Sequence, residues 1–181
     1  MRRVFLSFPV AEKLSNQFLH FAYAHQHLTG FRWTRENNFH ITLFFIGEVE
    51  ERNIPEISVR LKRLLSNQTT FDLHFDHFEI KKGKGSHGIF WARFHKRDEF
   101  SALARKVQDV VKEFMTIRIQ HPDPIPHITL ARVKFSGTEP ALTNPPLPET
   151  QRIDHAELWQ TVQTNEGVRY DSLCRFDFIT A

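Results

Sequence analysis

Several features that would place the protein in a familiar class are missing from its sequence. Cys174 is the single cysteine, which excludes an internal disulfide and a cysteine-rich metal site and favours a reducing compartment. No apolar run approaches the ~20 residues that a membrane-spanning helix needs. The apolar part of the start, residues 4–8, is too short for a signal peptide. We therefore predict a cytoplasmic protein that has no membrane partner.

Common catalytic and metal-binding signatures are missing as well. The sequence has no glycine-rich phosphate loop of the Walker or Rossmann type. No recognisable elbow surrounds a serine or cysteine nucleophile. His121 and His127 are not accompanied by a carboxylate or cysteine pattern that would complete a zinc site. The net charge of +3 suits local contact with an anionic ligand but is too small to coat a long nucleic acid.

The overall composition is that of an ordinary globular protein. Hydrophobic residues make up 40% of the chain and charged residues 25%. A length of 181 residues predicts one domain over residues 1–181, built from two closely packed lobes. The 18 phenylalanines predict an aromatic core and allow an aromatic cleft.

One short segment occurs twice. His40-Ile41-Thr42-Leu43 is repeated letter for letter at residues 127–130, which lie 87 positions later. Alternating isoleucine and leucine favour a strand, because neighbouring side chains leave a strand on opposite faces. Each copy would therefore present an imidazole beside a hydroxyl on one face, with two apolar side chains in the core behind them.

Periodicity and turn residues predict the remaining elements. Gly30 is predicted to end the first helix, and Gly47 to close the first His-x-Thr strand. Residues 81–85 read as a basic turn, 121–126 as extended chain, and 136–150 as a surface connection. Strands are predicted at residues 4–8, 39–46, 71–78, 89–94, 127–135, 152–162 and 170–178, and helices at 10–29, 53–66 and 97–116.

The two halves of the chain follow the same order: a strand, a helix of about twenty residues, a connector, and a His-x-Thr strand. Duplicated halves of this kind usually pack around a pseudo-two-fold axis. Such packing would bring His40 and His127 into one cleft. A single histidine on a strand is more often structural, but two copies in equivalent positions favour a functional pair.

A pair of histidines with two threonines suits phosphoryl chemistry. The unperturbed pKa of histidine, about 6.5, allows one imidazole to act as a base while the other acts as an acid. The threonine hydroxyls can donate hydrogen bonds to the non-bridging oxygens of a bound phosphate. The predicted reaction is therefore a metal-independent attack of water on a phosphodiester.

These residues resemble a known family, the two-histidine phosphoesterases, and within it the LigT-like RNA 2′,3′-cyclic phosphodiesterases. The similarity covers residues 4–9, 32–49, 126–132 and 170–173. It implies a bilobal α+β fold in which two antiparallel sheets flank a central cleft, with helices outside and with no metal or cofactor. It further implies hydrolysis of RNA terminal 2′,3′-cyclic phosphates to 2′-phosphates, and some members also join or cleave 2′–5′ RNA linkages.

The resemblance also implies roles for individual residues. His127 would be the base that activates water and His40 the acid that protonates the 3′ leaving oxygen, while the pseudo-symmetry leaves the reverse assignment open. Arg132 would clamp the phosphate through its guanidinium group. Simple alternation puts Arg132 on the face opposite His127, so it needs a bulge or a strand twist to reach the site. Phe45 takes the equivalent place in the first copy, as an apolar wall.

Two further groups of residues are candidates for binding RNA. Trp33 and Phe45 could stack on the terminal base, although a place in the core is the alternative for both. Lys81, Lys82 and Lys84 could contact phosphates upstream of the RNA end, or form an exposed turn.

The leading prediction is a monomeric, metal-independent enzyme that acts on RNA 3′ ends. The first alternative is a nucleotide- or RNA-binding module that has kept the cleft and lost turnover. The second is a two-histidine phosphodiesterase for small cyclic phosphates, such as ADP-ribose 1″,2″-cyclic phosphate.

Overall fold

The computed structural model describes residues 1–83, 85–115, 124–135 and 150–180. Within these ranges the chain forms three α-helices and an antiparallel sheet of nine strands. The helices are α1 (Glu12–Ala24), α2 (Ile54–Leu65) and α3 (Asp98–Val111). The strands are β1 (Arg2–Pro9), β2 (Phe31–Trp33), β3 (His40–Val49), β4 (Phe71–Lys82), β5 (His87–Phe94), β6 (His127–Lys134), β7 (Thr150–Ile153), β8 (His155–Thr164) and β9 (Gly167–Asp177).

The sheet consists of two halves that meet along a narrow seam. Its strand order is β7-β4-β5-β6-β3-β1-β8-β9, with β2 added to β6. Across the seam, β3 and β6 pair only at Ile41 and Ile128. We call β3, β1, β8 and β9 the His40 sheet, and β7, β4, β5, β6 and β2 the His127 sheet. The predicted α+β architecture of two antiparallel sheets around a cleft is confirmed.

Strand registers show that the two sheets repeat each other. In the His40 sheet, β1 pairs with β3 so that Ser7 lies opposite Thr42. In the His127 sheet, β5 pairs with β6 so that Trp91 lies opposite Thr129. The helices α1 and α3 follow β1 and β5 in the chain. Each half therefore contains a strand, a helix and a His-x-Thr strand in the same order.

The core lies on the face of the sheet that the helices cover. The isoleucine and leucine of both repeated segments are at most 2% exposed. On α2, the buried residues Ile57, Leu61 and Leu65 recur every four positions, as one face of a helix requires. The residues buried on α3 follow the same logic: Phe100, Ser101, Leu103, Ala104, Val107 and Val111. With this face filled, the histidines and threonines occupy the other one.

The prediction that Gly30 ends the first helix is wrong. Helix α1 ends at Ala24, and Gly30 directly precedes β2. There it adopts a φ of 84°, and its carbonyl oxygen accepts a hydrogen bond from the Lys134 N–H at 2.9 Å. A Cβ atom at this position would lie 2.2 Å from the Lys134 oxygen, so only glycine allows the approach. Strand β2 was not predicted, because three residues are too few to show a period.

Two other boundaries also differ from the predicted ones. Gly47 does not close β3, which continues to Val49 and accommodates Gly47 at a φ of 98° next to a bulge. The predicted strand 152–162 is two strands, since β7 pairs with β4 and β8 pairs with β1 on the other sheet. Of the predicted connections, Lys84, residues 121–123 and residues 136–149 lie outside the described residues. In the described ranges, no helix is long and apolar enough to cross a membrane.

Candidate active site

The two repeated segments meet face to face at the seam. Because Ile41 lies opposite Ile128 in an antiparallel pair, the next positions place His40 across from Thr129 and Thr42 across from His127. The histidines and threonines are half-buried, whereas the alternating isoleucines and leucines are fully buried. In agreement with this register, a positive charge on His127 lowers the pKa of His40. The four polar side chains thus form one cluster on the face of the sheet opposite the core.

The two imidazoles are held by equivalent hydrogen bonds to backbone carbonyl groups. Nδ1 of His40 lies 2.7 Å from the carbonyl oxygen of Asn38, and Nδ1 of His127 lies 2.7 Å from that of Ile125. A carbonyl oxygen only accepts, so Nδ1 carries the proton and donates it in both rings. In a neutral imidazole this leaves the Nε2 lone pair free. Each histidine is therefore oriented with Nε2 available for proton transfer.

Asn38 also ties the His40 anchor to β9. Its side-chain Nδ2 donates to the carbonyl oxygen of Val168 at 2.8 Å, and its Oδ1 accepts from the Tyr170 N–H at 3.3 Å. The carbonyl that orients His40 is therefore fixed by the β8–β9 hairpin, which lies about 130 residues further along the chain.

His40 lies in an aromatic box. The centroids of the rings of Tyr170, Phe5 and Trp159 are 5.0, 5.1 and 5.3 Å from that of the imidazole. Burial among these rings disfavours the charged imidazolium and lowers the pKa of His40 to about 4, although the hydrogen bond to Asn38 acts in the opposite direction. His40 is therefore neutral near pH 7 in the unliganded protein.

His127 has a mixed environment. Its ring centroid is 4.1 Å from that of Trp91. Burial lowers the pKa of His127, the hydrogen bond to Ile125 raises it, and the opposing charges of Lys81 and Glu79 make smaller contributions. The Lys81 ammonium lies 5.0 Å from the centroid of the Trp91 ring. A charged pair therefore flanks the second histidine, whereas three aromatic rings surround the first.

A bulge brings Arg132 onto the face of the histidines. Thr129 pairs with Trp91, Ala131 with Phe90 and Arg132 with Ile89, so Leu130 is the extra residue in β6. Arg132 consequently shares the face of Thr129 and is exposed. Simple alternation had placed Arg132 on the face opposite His127, and the bulge reverses that placement.

The first copy has the same bulge. Ser7 pairs with Thr42, Leu6 with Phe44 and Phe5 with Phe45, so Leu43 is the extra residue in β3. Phe45 thereby shares the face of Thr42, is 44% exposed, and stacks on Phe5 with centroids 6.4 Å apart. Arg132 and Phe45 therefore occupy equivalent positions, one with a cationic side chain and the other with an apolar aromatic ring.

Trp33 does not lie with the histidines. It pairs with the buried Ala131, and its ring contacts Phe21, Phe31 and Phe90 on the core side of β2. Because its ring packs in the core, Trp33 is not placed to stack on a base bound beside the histidines.

Of the lysines in the predicted basic turn, Lys81 faces His127, and the Lys82 ammonium lies 5.9 Å from the centroid of the Phe135 ring.

The sequence did not predict most of the aromatic residues that surround the histidines. Phe5 and Trp91 lie on β1 and β5, the strands that pair with the two His-x-Thr strands, but register makes Phe5 equivalent to Ile89 and Trp91 equivalent to Ser7, so the repeat of the two halves did not point to them. Trp159 and Tyr170 lie in the last two strands, outside the repeated unit, and no local signal connects them with His40. No group of three or more His, Cys, Asp or Glu side chains suited to holding a metal ion occurs within the described part of the chain.

An open pocket of about 430 Å³ lies beside the His40 end of the cluster, and Asn38 contributes to its wall. Its two arginines are paired with acids: Arg35 lies 2.9 Å from Glu166, and Arg169 lies 2.7 Å from Asp171. The pocket therefore presents amide and hydroxyl groups rather than unpaired cations to a molecule that approaches His40.

Comparisons with known proteins agree with this geometry. The family model described as LigT like Phosphoesterase matches residues 9–91, which include the first His-x-Thr segment. An RNA 2′,3′-cyclic phosphodiesterase of Thermotoga maritima is 28% identical over 154 residues, which are 82% of this chain and 81% of that protein. Its namesake in Bacillus subtilis is 22% identical over 174 residues, or 95% of this chain and 94% of the relative.

Solved structures share the fold over nearly the whole chain. A protein of Thermus thermophilus superposes with a TM-score of 0.82 at 23% identity, with 98% of both chains covered. LigT of E. coli, solved in complex with 3′-AMP, gives a TM-score of 0.81 at 21% identity and the same coverage. At these identities the structural likeness supports the fold, and the sequence matches support the family.

Proposed function

We propose that the chain, which is similar to LigT-like phosphoesterases of the two-histidine group, hydrolyses the 2′,3′-cyclic phosphate at an RNA 3′ end to a 2′-phosphate. The observation that carries this proposal is the pair of imidazoles held alike through Nδ1, with both Nε2 atoms free and two threonines between them. Relatives that bear the name RNA 2′,3′-cyclic phosphodiesterase support the choice of substrate.

In the proposed reaction the cyclic phosphate binds between the two histidines. The hydroxyls of Thr42 and Thr129 donate to its non-bridging oxygens, and Arg132 approaches from the same face. One imidazole accepts a proton from water as the water oxygen bonds to phosphorus. The bond from phosphorus to the 3′ oxygen breaks, and the second imidazole protonates that oxygen. The product carries a 2′-phosphate and a free 3′-hydroxyl.

The roles of the two histidines follow the resemblance in this proposal, with His127 as base and His40 as acid. In the unliganded cleft the aromatic box holds His40 neutral, which by itself suits a base. A bound phosphate carries negative charge, and an anion beside either imidazole raises its pKa. Substrate binding is therefore the step that protonates His40 when it serves as the acid.

The aromatic wall is proposed to hold the terminal nucleoside. Phe45 is exposed on the face of Thr42 and is backed by Phe5, which gives it a fixed orientation. Stacking of a base on such a ring tolerates any base, because every base has a π face. We therefore expect little discrimination among terminal bases. Trp33 has no part in this binding, because its ring packs in the core.

The same cleft can also accept a different nucleophile. If the 5′-hydroxyl of a second RNA replaces water, an identical attack forms a 2′–5′ linkage and again releases the 3′ oxygen. Ligation thus needs the same acid and base but a second RNA-binding surface. We also propose that the protein acts as a cytoplasmic monomer without metal, in keeping with its single cysteine.

The test uses an RNA oligonucleotide that ends in a 2′,3′-cyclic phosphate, incubated with the protein in EDTA. The product end is identified by phosphatase sensitivity and by chromatography against 2′- and 3′-phosphate standards. We expect a 2′-phosphate. A 3′-phosphate would mean that the 2′ oxygen leaves and would overturn the proposed geometry.

Two other outcomes correspond to the alternatives. Saturable binding of the same RNA without conversion would identify a binding module that has lost turnover. Absence of both binding and conversion would direct the assay to ADP-ribose 1″,2″-cyclic phosphate. The presence of both complete His-x-Thr segments favours the enzyme, because binding alone does not require two oriented imidazoles.

A further inference from the structure

We propose that Arg32 and Arg132 form a second anion site, which holds the phosphodiester immediately upstream of the terminal nucleotide. The inference rests on the proposed function and deepens it, because it makes an RNA end a better substrate than a cyclic mononucleotide. Arg132 would lie between the reacting phosphate and the upstream one, and Arg32 would contact only the upstream one.

The two arginines are direct cross-strand partners. Strand β2 pairs with β6 so that Arg32 lies opposite Arg132, and both side chains are exposed. Across residues 1–83, 85–115, 124–135 and 150–180, neither arginine forms a salt bridge or a side-chain hydrogen bond. Most other arginines of the described chain do: for example, Arg35 pairs with Glu166 and Arg169 with Asp171. The pair is thus an uncompensated concentration of positive charge.

The position of this pair relative to the cluster fits a nucleotide chain. Because Leu130 is the extra residue of the bulge, Arg132 lies two regular strand residues beyond Thr129. At 3.2–3.4 Å per strand residue, the two side chains start about 7 Å apart along β6. This separation is comparable with the spacing of successive phosphates along a nucleic-acid strand. Arg32 extends the row sideways onto β2.

Strand β2 holds Arg32 in a defined place. Its flanking residues Phe31 and Trp33 pack against Phe90 on the core side, so alternation sends Arg32 to the cleft face. Two backbone hydrogen bonds frame the strand: Lys134 N–H donates to the Gly30 carbonyl at 2.9 Å, and Thr34 N–H donates to the Leu130 carbonyl at 2.8 Å. The arginine therefore starts from a rigid backbone, unlike one on a surface loop.

Stability does not explain this arrangement. Like charges directly opposite each other in an antiparallel pair are destabilising. A phosphate placed between two guanidinium groups removes the repulsion and accepts paired hydrogen bonds from the planar forks. The repulsion that destabilises the unliganded protein is thus replaced by attraction in the complex, which is typical of a binding site.

The experiment compares two substrates that share the reacting group. One is a nucleoside 2′,3′-cyclic phosphate, and the other is a trinucleotide that ends in the same cyclic phosphate. We expect Arg32→Gln to lower kcat/KM for the trinucleotide by about tenfold or more, since it loses hydrogen bonds to a charged group. For the mononucleotide the variant should match the unmodified protein. Arg63→Gln, on the outer surface of α2, is the control of equal charge.

Salt dependence provides a second readout. Loss of one phosphate contact reduces the slope of log affinity against log salt by about 0.7 for a single strand. Binding is measured with a trinucleotide that ends in a 2′-phosphate, so that it does not depend on turnover. An equal effect of Arg32→Gln on both substrates, or no effect on the trinucleotide, would overturn the second site.

Failure of the proposed function has a different signature. In that case the unmodified protein converts neither substrate. The affinity of the trinucleotide for Arg32→Gln and Arg63→Gln then still decides whether Arg32 holds a phosphate. Thermal unfolding of each variant shows whether β2 remains in place.

Discussion

The His40 and His127 sheets have the same backbone plan, but they surround their histidines with different chemistry. Register makes Phe5 equivalent to Ile89, and Phe45 equivalent to Arg132. One strand further out, Trp159 of β8 corresponds to Lys81 of β4. At these three positions the His40 sheet carries aromatic rings, whereas the His127 sheet carries Ile89 and two cations. The two histidines are thus held in the same way, and the side chains at the flanking positions differ.

The difference has an electrostatic consequence. Around His40, burial among the rings of Phe5, Trp159 and Tyr170 is the largest influence, and the pKa falls to about 4. Around His127, burial again lowers the pKa, the hydrogen bond to Ile125 raises it, and the smaller influences of Lys81 and Glu79 act in opposite directions. Two groups that begin with the same ordinary pKa are therefore moved by unequal amounts. In the unliganded protein this separation favours His40 as the base, so the proposed role of His40 as the acid depends on the rise in its pKa when the phosphate binds.

The largest expected effect is the loss of either imidazole. His40→Ala and His127→Ala should each lower turnover by about 10²–10⁴-fold, because each removes one proton-transfer step. Single-turnover conversion of the cyclic RNA end measures the loss. His20→Ala, on the exposed face of α1, serves as the matched control, and thermal unfolding checks the fold. Near-normal turnover of either site variant would refute the two-histidine mechanism.

A sulfur-substituted substrate distinguishes the two roles. A thiolate leaves without protonation, so replacing the 3′ bridging oxygen by sulfur removes the need for an acid. If His40 is the acid, His40→Ala should recover most of its lost turnover on this substrate, while His127→Ala should not. Recovery by His127→Ala instead would reverse the assignment and agree with the low pKa of His40 in the unliganded protein.

Burial of His40 also makes stability depend on pH. The pKa of His40 is about 4 in the folded protein and 6.5 in the unfolded chain. Below pH 6.5, therefore, His40 becomes protonated in the unfolded chain, whereas in the folded protein it stays neutral down to about pH 4. The free energy of unfolding should fall by about 3 kcal/mol as the pH drops through this window.

Denaturant titrations between pH 7 and 4 measure this slope. The carboxylates whose pKa is lowered in the folded protein, such as Asp76, Asp154 and Glu99, also begin to lose their contribution at the lower end of this range, so the slope of each variant is compared with that of the unmodified protein. His40→Gln should remove most of the slope, and His127→Gln a smaller part. Equal slopes in the two variants would show that the two environments do not differ as described.

The threonines should give smaller effects. Thr42→Val and Thr129→Val keep the shape of the side chain but lose a hydrogen bond to the charged phosphate, so kcat/KM should fall by about tenfold to a hundredfold. The loss should be larger for Thr129, which lies on the same strand as Arg132. Thr42→Ser and Thr129→Ser keep the hydroxyl and should retain most activity. A larger loss from Thr42→Val would place the phosphate nearer the His40 sheet.

Local pattern predicted the elements that carry the histidines. The alternation in residues 40–43 and 127–130 correctly sent Ile and Leu to the core and left His and Thr on the other face. The same reasoning could not place Trp33, because a strand of three residues shows no period and its face depends on β6. For Arg132, alternation needed a bulge that only the pairing of β6 with β5 reveals.

The sequence by itself determined that two His-x-Thr strands exist, which of their faces is apolar, and that the two halves repeat. These properties follow from backbone geometry, since side chains alternate along a strand whatever surrounds it. Only the tertiary structure decided that the copies meet at Ile41 and Ile128, and that Trp159 and Tyr170 enclose His40. The physical reason is range: register and desolvation depend on contacts between residues that are as many as 158 positions apart, and no local pattern encodes those contacts.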